Sequence, residues 1–229
     1  MKKIGFVIPW YADGIPGGAE MELREVAGHL HSAGVRLEIL TTCVKEFGSD
    51  WSVNYYKDGD DSTANGITIK RFKVKKRDTE AFDAVNAKLM RKAPVSPEEE
   101  DIFLSEMVNS PDLYKYISEH GDDYSLFVFI PYMFGTTYNG AKIFPEKSVL
   151  IPCFHDEGYA YMKRFKELFP KTAGMIFNAR PEAELAQRLY GFEESGTKTI
   201  VMGIGMDTGI IPDPAAFREK FKINERFIL

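Results

Sequence analysis

The sequence predicts an α/β protein in which a doubly wound, mostly parallel sheet carries helices on both faces. Short apolar runs alternate along the chain with amphipathic stretches of helical period, which is the pattern of parallel strands joined by crossover helices. Several runs, such as FVFI at 127–130, are apolar at every position, as a strand covered on both faces requires. A chain of 229 residues with 44% hydrophobic side chains can bury such a core.

Seven apolar runs are predicted to be the strands of this sheet. In chain order they are Lys3–Ile8, Arg36–Thr41, Ile67–Phe72, Leu126–Ile130, Ser148–Ile151, Gly174–Phe177 and Thr199–Met202. Residues 43–66 are polar and end in GDDSTANG, so they are predicted to form a long surface loop rather than a further sheet element.

Three stretches between the strands have the apolar spacing of helices with one buried face. The first covers residues 19–32 and stops before Gly34. The second follows HDEG and carries a stripe of large side chains, Tyr159, Met162, Phe165 and Phe169. The third ends at Gly191, and residues 79–120 add two or three helical patterns broken by prolines.

The chain changes character after Gly203, where a Gly- and Pro-rich connection replaces the alternating pattern. A short helix is predicted at Ala215–Phe221, and the final RFIL has the composition of a strand. We therefore expect one large domain at 1–207, a hinge near 203–205, and the first elements of a second domain at 208–229.

Composition limits the partners and the compartment. The net charge of −5 gives no global field that would attract nucleic acid. The initial apolar run is interrupted at Pro9 and Asp13, too early for a secretory core or a membrane span, so a cytoplasmic protein is expected. Cys43 and Cys153 lie far apart and are interpreted as reduced thiols.

The stretch IKRFKVKKR at 69–77 is the one local concentration of positive charge, with six basic residues among β-type side chains. It could bind phosphates or the headgroups of an anionic membrane, which would make the protein peripheral to the inner face of that membrane. It could equally be a charged edge strand protected from aggregation.

The loop after the first strand delivers Gly17 and Gly18 to the start of a helix. A glycine pair lets a ligand approach the backbone closely, and the unpaired N–H groups of a helix start favour an anion such as a diphosphate. The loop matches neither G-x-G-x-x-G nor a P-loop, so a flexible strand-to-helix turn explains the glycines equally well.

The segment HDE at 155–157 follows a strand directly, and ligands of open α/β sheets bind outside the carboxyl ends of strands. His155 could orient or deprotonate a hydroxyl. Asp156 or Glu157 could fix the tautomer of His155 or cap the helix that begins at Gly158. The alternative is a surface loop in which Asp156 is only a helix cap.

The aromatic stretch IPYMFGTTYNG at 130–140 is predicted near the same sheet edge. Tyr132, Thr136, Thr137 and Tyr138 could stack on sugar faces and bind hydroxyls, although core packing of the rings is an equal alternative. A metal site is not expected, because Cys153 and His155 form only a lone pair of ligands. A Cys–His nucleophile is disfavoured because no orienting partner can be identified.

The ordered set of these motifs resembles the N-terminal half of family 4 glycosyltransferases of the GT-B fold. The resemblance covers nearly the whole chain and is carried by GGAE, PYMFGTTYNG, IPCFHDEGYAYM, KELF, FNARPEAELAQRLYG and GIGMD. It implies a Rossmann-like, acceptor-side domain that faces a C-terminal donor-binding domain of the same protein. It also implies no metal or cofactor, since the nucleotide-sugar is a substrate.

The resemblance also implies residue roles. Gly17 and Gly18 would approach the donor diphosphate, and His155, with Asp156, would lie in the cleft near the transferred sugar. Glu182 matches the glutamate of a helix-opening motif, and Gly205 with Asp207 matches a G-x-D sequence at the domain crossover. The acceptor would contact the aromatic stretch and Glu157.

The function that follows from the resemblance is transfer of a sugar to a hydroxyl of a glycan or lipid-linked acceptor, with retention of configuration, in polysaccharide or glycoconjugate biosynthesis. The 229 residues alone are expected to be inactive. Two alternatives stay open: a non-catalytic module that binds a glycan or a phosphate, and a sugar-nucleotide oxidoreductase or epimerase. The missing G-x-G-x-x-G disfavours the second of these.

Overall fold

The computed structural model describes residues 2–205, 209 and 211–228. They form one eight-stranded sheet with the order β3-β4-β2-β1-β5-β6-β7-β8. The strands are β1 (Lys3–Ile8), β2 (Leu37–Thr42), β3 (Gly59–Ser62), β4 (Thr68–Phe72), β5 (Tyr124–Phe129), β6 (Ser148–Leu150), β7 (Gly174–Phe177) and β8 (Lys198–Val201). Strand β3 is antiparallel to β4 and the other pairs are parallel, which confirms the predicted fold class.

The helices lie on both faces of the sheet. They are α1 (Gly18–Ser32), α2 (Thr79–Met90), α3 (Pro97–Glu106), α4 (Pro111–His120), α5 (Gly135–Ala141), α6 (Lys163–Leu168), α7 (Arg180–Tyr190), α8 (Phe192–Ser195) and α9 (Pro214–Phe221). Leu23 and Ala27 of α1 pack into the core of one face. Phe103, Leu113 and Leu185, from α3, α4 and α7, pack into the larger core of the other face.

Apolar burial explains why these runs become central strands. All six residues of β2 are buried, and Phe127 and Phe129 of β5 are fully covered. Burying one such large apolar side chain stabilises the fold by about 1.5–3 kcal/mol. The central strands therefore form the common wall between the two cores.

The winding direction of the sheet reverses between β1 and β5. From β1 the chain moves through β2 to β4 on one side, and it then returns to place β5 on the other side of β1. Trp10 follows β1 and Pro131 follows β5, so both residues leave the sheet at this reversal point. Ligands of open α/β sheets bind at such points, outside the carboxyl ends of the strands.

The prediction of a loop without sheet structure at 43–66 is wrong for Gly59–Ser62, which forms strand β3. Its four residues are exposed and polar, so no hydrophobic pattern marks them. Cross-strand ion pairs join β3 to β4, from Lys70 to Asp60 at 2.9 Å and from Arg71 to Asp61 at 3.3 Å. Opposite charges facing each other across an antiparallel pair support such a strand.

The prediction of a single helix after HDEG is also wrong. Gly158–Tyr161 forms a short 3₁₀ helix, α6 follows, and Phe169–Lys171 forms a second 3₁₀ helix. Met162 interrupts the run with extended backbone, at ψ 135°. The carboxylate of Glu100, from α3, then accepts hydrogen bonds from the first two backbone N–H groups of α6 at 2.8 Å each. A distant side chain thus starts a new helix.

The end of the described chain carries little packing. Helix α9 has no buried residue, and residues 226–228, the part of RFIL that the structure describes, are not in a strand, contrary to the expectation. Asp207, of the predicted G-x-D, lies outside the described residues, and the division at 207–208 stays a prediction. In the part of the chain that the structure describes, the helices lack either the length or the apolar character to cross a membrane.

Candidate functional site

The candidate site is the region outside the carboxyl ends of β1, β5, β6 and β7, where open α/β sheets bind their ligands, and we call this region the crevice. The segments that leave these strands carry Trp10, Pro131, Cys153 to His155, and Asn178. The exposed start of α1, at Gly17 and Gly18, follows the first of these segments. The structure therefore brings the predicted glycine turn and the HDE segment to one edge of the sheet.

The carboxylate of Glu182 joins two of these segments. Its Oε1 accepts a hydrogen bond from the backbone N–H of Phe154 at 2.7 Å, and its Oε2 accepts one from that of Asn178 at 2.7 Å. Glu182 is 8% exposed and lies in the first turn of α7, where the helix dipole favours a negative charge. It fixes the main chain immediately before His155.

A second buried carboxylate, Glu22 of α1, lies beside the same segments. It accepts hydrogen bonds from Asn178 Nδ2 at 2.8 Å and from Cys153 Sγ at 3.7 Å. Burial raises the pKa of Glu22 above 4.5, and the nearby charge of Glu182 adds to this effect. Sequence reasoning missed Glu22 and Asn178, because no local pattern links positions 156 residues apart.

Cys153 does not have the environment of a nucleophile. Burial raises the pKa of its thiol well above 9.0, and the carboxylates of Glu22 and Glu182 raise it further. A thiol is a nucleophile only as the thiolate. The disfavoured Cys–His mechanism gains no support, because Cys153 hydrogen-bonds to a carboxylate rather than to His155.

The glycine turn is exposed, as an anion site requires, but a side chain already occupies part of it. The carboxylate of Glu20 packs against Gly17, which has a left-handed φ of 149°, and the indole N–H of Trp10 donates to Glu20. No side chain or loop lies within 4 Å of the position that a Cβ of Gly18 would take. The open approach to the backbone is therefore at Gly18.

His155 is exposed, and its ring has no hydrogen-bond partner among the described residues. Asp156 pairs instead with Lys92 at 2.7 Å and accepts from the hydroxyl of Tyr161 at 3.0 Å. These hydrogen bonds lower the pKa of Asp156. The expectation that Asp156 would orient His155 or cap the following helix is therefore wrong, because its carboxylate is held by other groups.

Glu157 likewise does not orient His155. Its carboxylate accepts from the buried hydroxyl of Tyr132 at 2.9 Å, and it makes no side-chain cap for the 3₁₀ helix that it precedes. Burial and the charge of Glu157 raise the pKa of Tyr132. The pair joins the segments after β5 and β6, so the Glu157 carboxylate already has a protein partner.

The predicted acceptor contacts of the aromatic stretch have no exposed side chains to make them. Tyr132 is 1% exposed, and Thr136, Thr137 and Tyr138 are also buried. The ring of Tyr132 packs 4.4 Å from that of Phe154, and the hydroxyl of Thr137 donates to the carbonyl of Pro131 at 2.7 Å. The core-packing alternative describes these residues, because Tyr132 packs against Phe154 and the side chains of Thr136, Thr137 and Tyr138 in α5 are buried.

The basic stretch 69–77 is largely neutralised. Its cations pair with acids, namely Lys70 with Asp60, Arg71 with Asp61, Lys73 with Asp58 and Lys75 with Glu106. Strand β4 is also not at the sheet edge, since β3 covers it, so the edge-strand interpretation is wrong.

Among the described residues, no group of three or more His, Cys, Asp or Glu could hold a metal ion.

Replacing Glu182 should destabilise the protein. In Glu182→Gln an amide N–H₂ faces one of the two backbone donors, so a buried N–H loses its acceptor, at a cost of about 1–3 kcal/mol in the free energy of unfolding. Urea unfolding measures this change. The exposed Glu184, on the same helix, gives the matched control Glu184→Gln, which we expect to change stability by less than about 0.5 kcal/mol. Equal values for the two variants would contradict the assigned role of Glu182.

The two glycines of the turn should respond differently to alanine. Gly17→Ala places a side chain in left-handed backbone and against the Glu20 carboxylate, so it should lower the free energy of unfolding by about 1–3 kcal/mol. Gly18→Ala, in open space at the start of α1, should leave stability unchanged or raise it slightly. Thermal unfolding of both variants tests this difference, and equal melting temperatures would exclude the strain at Gly17.

Comparison with known proteins connects the chain to one architecture. No family model and no curated protein matches the sequence. A solved structure described as "Trehalose-6-phosphate from E. coli bound with UDP-2-fluoro glucose" is similar in fold, with a TM-score of 0.52 and 12% sequence identity. The match covers 96% of this chain and 54% of that chain, so the chain spans about half the length of the matched structure. The chain has the Rossmann-like α/β architecture of the GT-B fold.

Proposed function

We propose that this chain is the acceptor-side half of a glycosyltransferase that moves a sugar from a nucleotide-sugar donor to a hydroxyl of a glycan or lipid-linked acceptor. The observation that carries the proposal is the fold likeness along 96% of the chain to a structure whose description names bound UDP-2-fluoro glucose. The crevice at the reversal point between β1 and β5 supports it, since this is where open α/β sheets bind nucleotides.

We also propose membership of family 4, the N-terminal position of this domain, retention of configuration, and a role in polysaccharide or glycoconjugate biosynthesis. The ordered motifs GGAE, IPCFHDEGYAYM and FNARPEAELAQRLYG support this finer assignment. The partner of the domain would be a C-terminal donor-binding domain of the same protein, because the matched structure is about twice as long as this chain.

The start of α1 is the proposed diphosphate contact. Helix α1 has 15 residues, and its first N–H groups lack partners within the helix. Such a helix start attracts negative charge. In this role Gly18 gives the phosphate access to the backbone, whereas Gly17 and Glu20 hold the turn in shape.

His155 is the proposed positioning group for the reacting sugar and the acceptor. It is exposed at the crevice, and its backbone is fixed from the preceding residue by Glu182. In a front-face mechanism with retention, the departing diphosphate takes the acceptor proton, so His155 acts through hydrogen bonds and electrostatic stabilisation rather than as the base. The chemistry needs no metal or cofactor.

Calorimetric titration tests the proposal against both alternatives. UDP-glucose, GDP-mannose and NAD⁺ are titrated into the 229-residue chain and into a protein extended by the second domain. We expect a nucleotide-sugar to bind the extended protein and to bind the isolated chain weakly or not at all. Tight binding of NAD⁺ would favour an oxidoreductase or epimerase, and no nucleotide binding by either protein would favour a non-catalytic module.

Replacing His155 should affect the reaction without affecting the fold. In the complete enzyme, His155→Ala should lower the turnover number by about 10²-fold or more, because a positioned hydrogen-bonding group is lost. The melting temperature should stay the same, since the ring is exposed. The exposed His31, at the opposite end of α1, provides the control His31→Ala, and equal turnover numbers for the two variants would contradict the role.

A further inference from the structure

Three aromatic side chains pack together in a cluster that we call the aromatic shelf: the buried Trp10, the half-buried Trp51 and the exposed Phe47. Trp10 leaves the carboxyl end of β1, and the other two lie in the segment that follows β2. The two indole rings stack with centroids 5.8 Å apart. The ring of Phe47 meets Trp10 at 5.9 Å and Trp51 at 5.7 Å, both edge-on.

The three rings of the shelf differ in solvent exposure. Trp10 is 3% exposed, Trp51 is half-buried and Phe47 is 62% exposed. The ring of Phe47 and part of the ring of Trp51 therefore present an apolar surface to solvent, and the buried Trp10 packs against both. Large apolar groups that a folded protein holds outward in a cluster mark binding sites more often than isolated ones do.

The segment that carries the shelf is fixed rather than loose. The backbone N–H groups of Tyr55 and Tyr56 both donate to the carbonyl of Cys43, at 2.8 and 3.0 Å. The amide oxygen of Asn54 accepts from the backbone of Val74 at 2.8 Å. The indole N–H of Trp51 donates to the carbonyl of its shelf neighbour at 2.9 Å. A ligand would therefore meet rings that are already in place.

Trp10 connects the shelf to the proposed donor site. Its ring belongs to the shelf, whereas its indole N–H donates to Glu20, the carboxylate that packs against Gly17. The side chain of Glu20 therefore lies between Trp10 and the glycine turn.

The charges around the shelf favour a neutral ligand. The guanidinium of Arg77 lies over the ring of Trp51 at 4.8 Å and donates through Nε to the carbonyl of Glu106 at 2.7 Å. Lys45 pairs with Glu46 at 3.5 Å, next to Phe47 in the sequence. Lys70, Lys73 and Lys75 are also paired with acids, so much of the positive charge near the shelf is neutralised, which disfavours an anionic surface as its partner.

We propose that the aromatic shelf is the subsite that stacks a sugar ring of a neutral glycan acceptor. The apolar C–H face of a sugar matches the exposed face of an aromatic ring, while the polar atoms of Ser49, Asp50 and Ser52 on the same segment suit its hydroxyls. The proposal rests on the proposed glycosyltransferase function and names the substrate class of the acceptor.

The chain contains a built-in reporter for this subsite, because its two tryptophans are both part of the shelf. We titrate the 229-residue chain with maltotriose, cellotriose, chitotriose and mannotriose and follow tryptophan emission. At least one oligosaccharide should produce a saturable change in tryptophan emission. We expect half-saturation at about 1 mM or above, as for a single stacked ring. Phe47→Ala should weaken that binding by about tenfold or more.

Phe221→Ala is the matched control, since Phe221 is 55% exposed and lies in α9, which has no buried residue. This variant should bind like the wild type. No emission change with any of the four oligosaccharides, or equal binding by Phe47→Ala and Phe221→Ala, would overturn the proposal. An emission change with phosphatidylglycerol vesicles but not with the oligosaccharides would overturn it in favour of a membrane contact.

The same titration separates this proposal from the proposed function. UDP-glucose is added to the extended protein in parallel, and its binding should be the same in wild type and Phe47→Ala. Glycan binding at the shelf without any nucleotide-sugar binding would contradict the glycosyltransferase and leave the shelf as a glycan site. Nucleotide-sugar binding without glycan binding would overturn the shelf alone.

Discussion

The reversal of the sheet between β1 and β5 is the constraint on which the candidate site depends. Crossover connections lead away from these two strands in opposite directions, and open α/β sheets bind ligands outside the carboxyl ends of strands at such a point. Trp10, which is buried, and Pro131, which is half-buried, leave the sheet there. Because α1 begins after the first of these segments, its unpaired N–H groups are available beside the same crevice.

Polar contacts between segments determine the shape of this crevice. The segments after β6 and β7 have no mutual backbone ladder at this point, and the carboxylate of Glu182 joins them by accepting one N–H from each. A buried carboxylate needs such donors, since an unpaired charge away from water is costly. Burial, to which the charge of Glu182 adds, raises the pKa of Glu22, so this second acid keeps its proton to a higher pH than an exposed glutamate.

The sequence predicts the strands well, because apolar burial on both faces leaves a local signal. The predicted Lys3–Ile8 and Gly174–Phe177 coincide with β1 and β7. Strand β3 leaves no such signal, since its stability comes from β4. The interrupted helix after Gly158 is also not predictable locally, because the group that starts α6 is Glu100, 63 residues away from the N–H that it binds.

The sequence predicted where the segment of His155 lies but not the contacts of its neighbours. A strand end directly before His155 predicted that this segment lies at the carboxyl edge of the sheet, where it follows β6. Whether this edge is a functional site stays a prediction. The partners of the neighbouring acids come from other elements, with Lys92 in the turn after α2 and Tyr132 after β5. Rings next to threonines, as at 132–138, fit both a sugar site and a core, and only the packing of α5 decides between them.

Trp10 contacts both proposed substrate sites, the aromatic shelf through its ring and the glycine turn through Glu20. Trp10 is 3% exposed, packs against both other shelf rings and donates through its indole N–H to Glu20. A sugar ring on the shelf and a diphosphate at the start of α1 would therefore be related to each other through this buried side chain. Fixed mutual orientation of two reactants is a large source of rate enhancement, since the entropy of bringing them together is lost at binding. In the proposed glycosyltransferase this domain would contribute to catalysis mainly by placement, and the exposed His155, whose ring has no charge partner among the described residues, would suit that role.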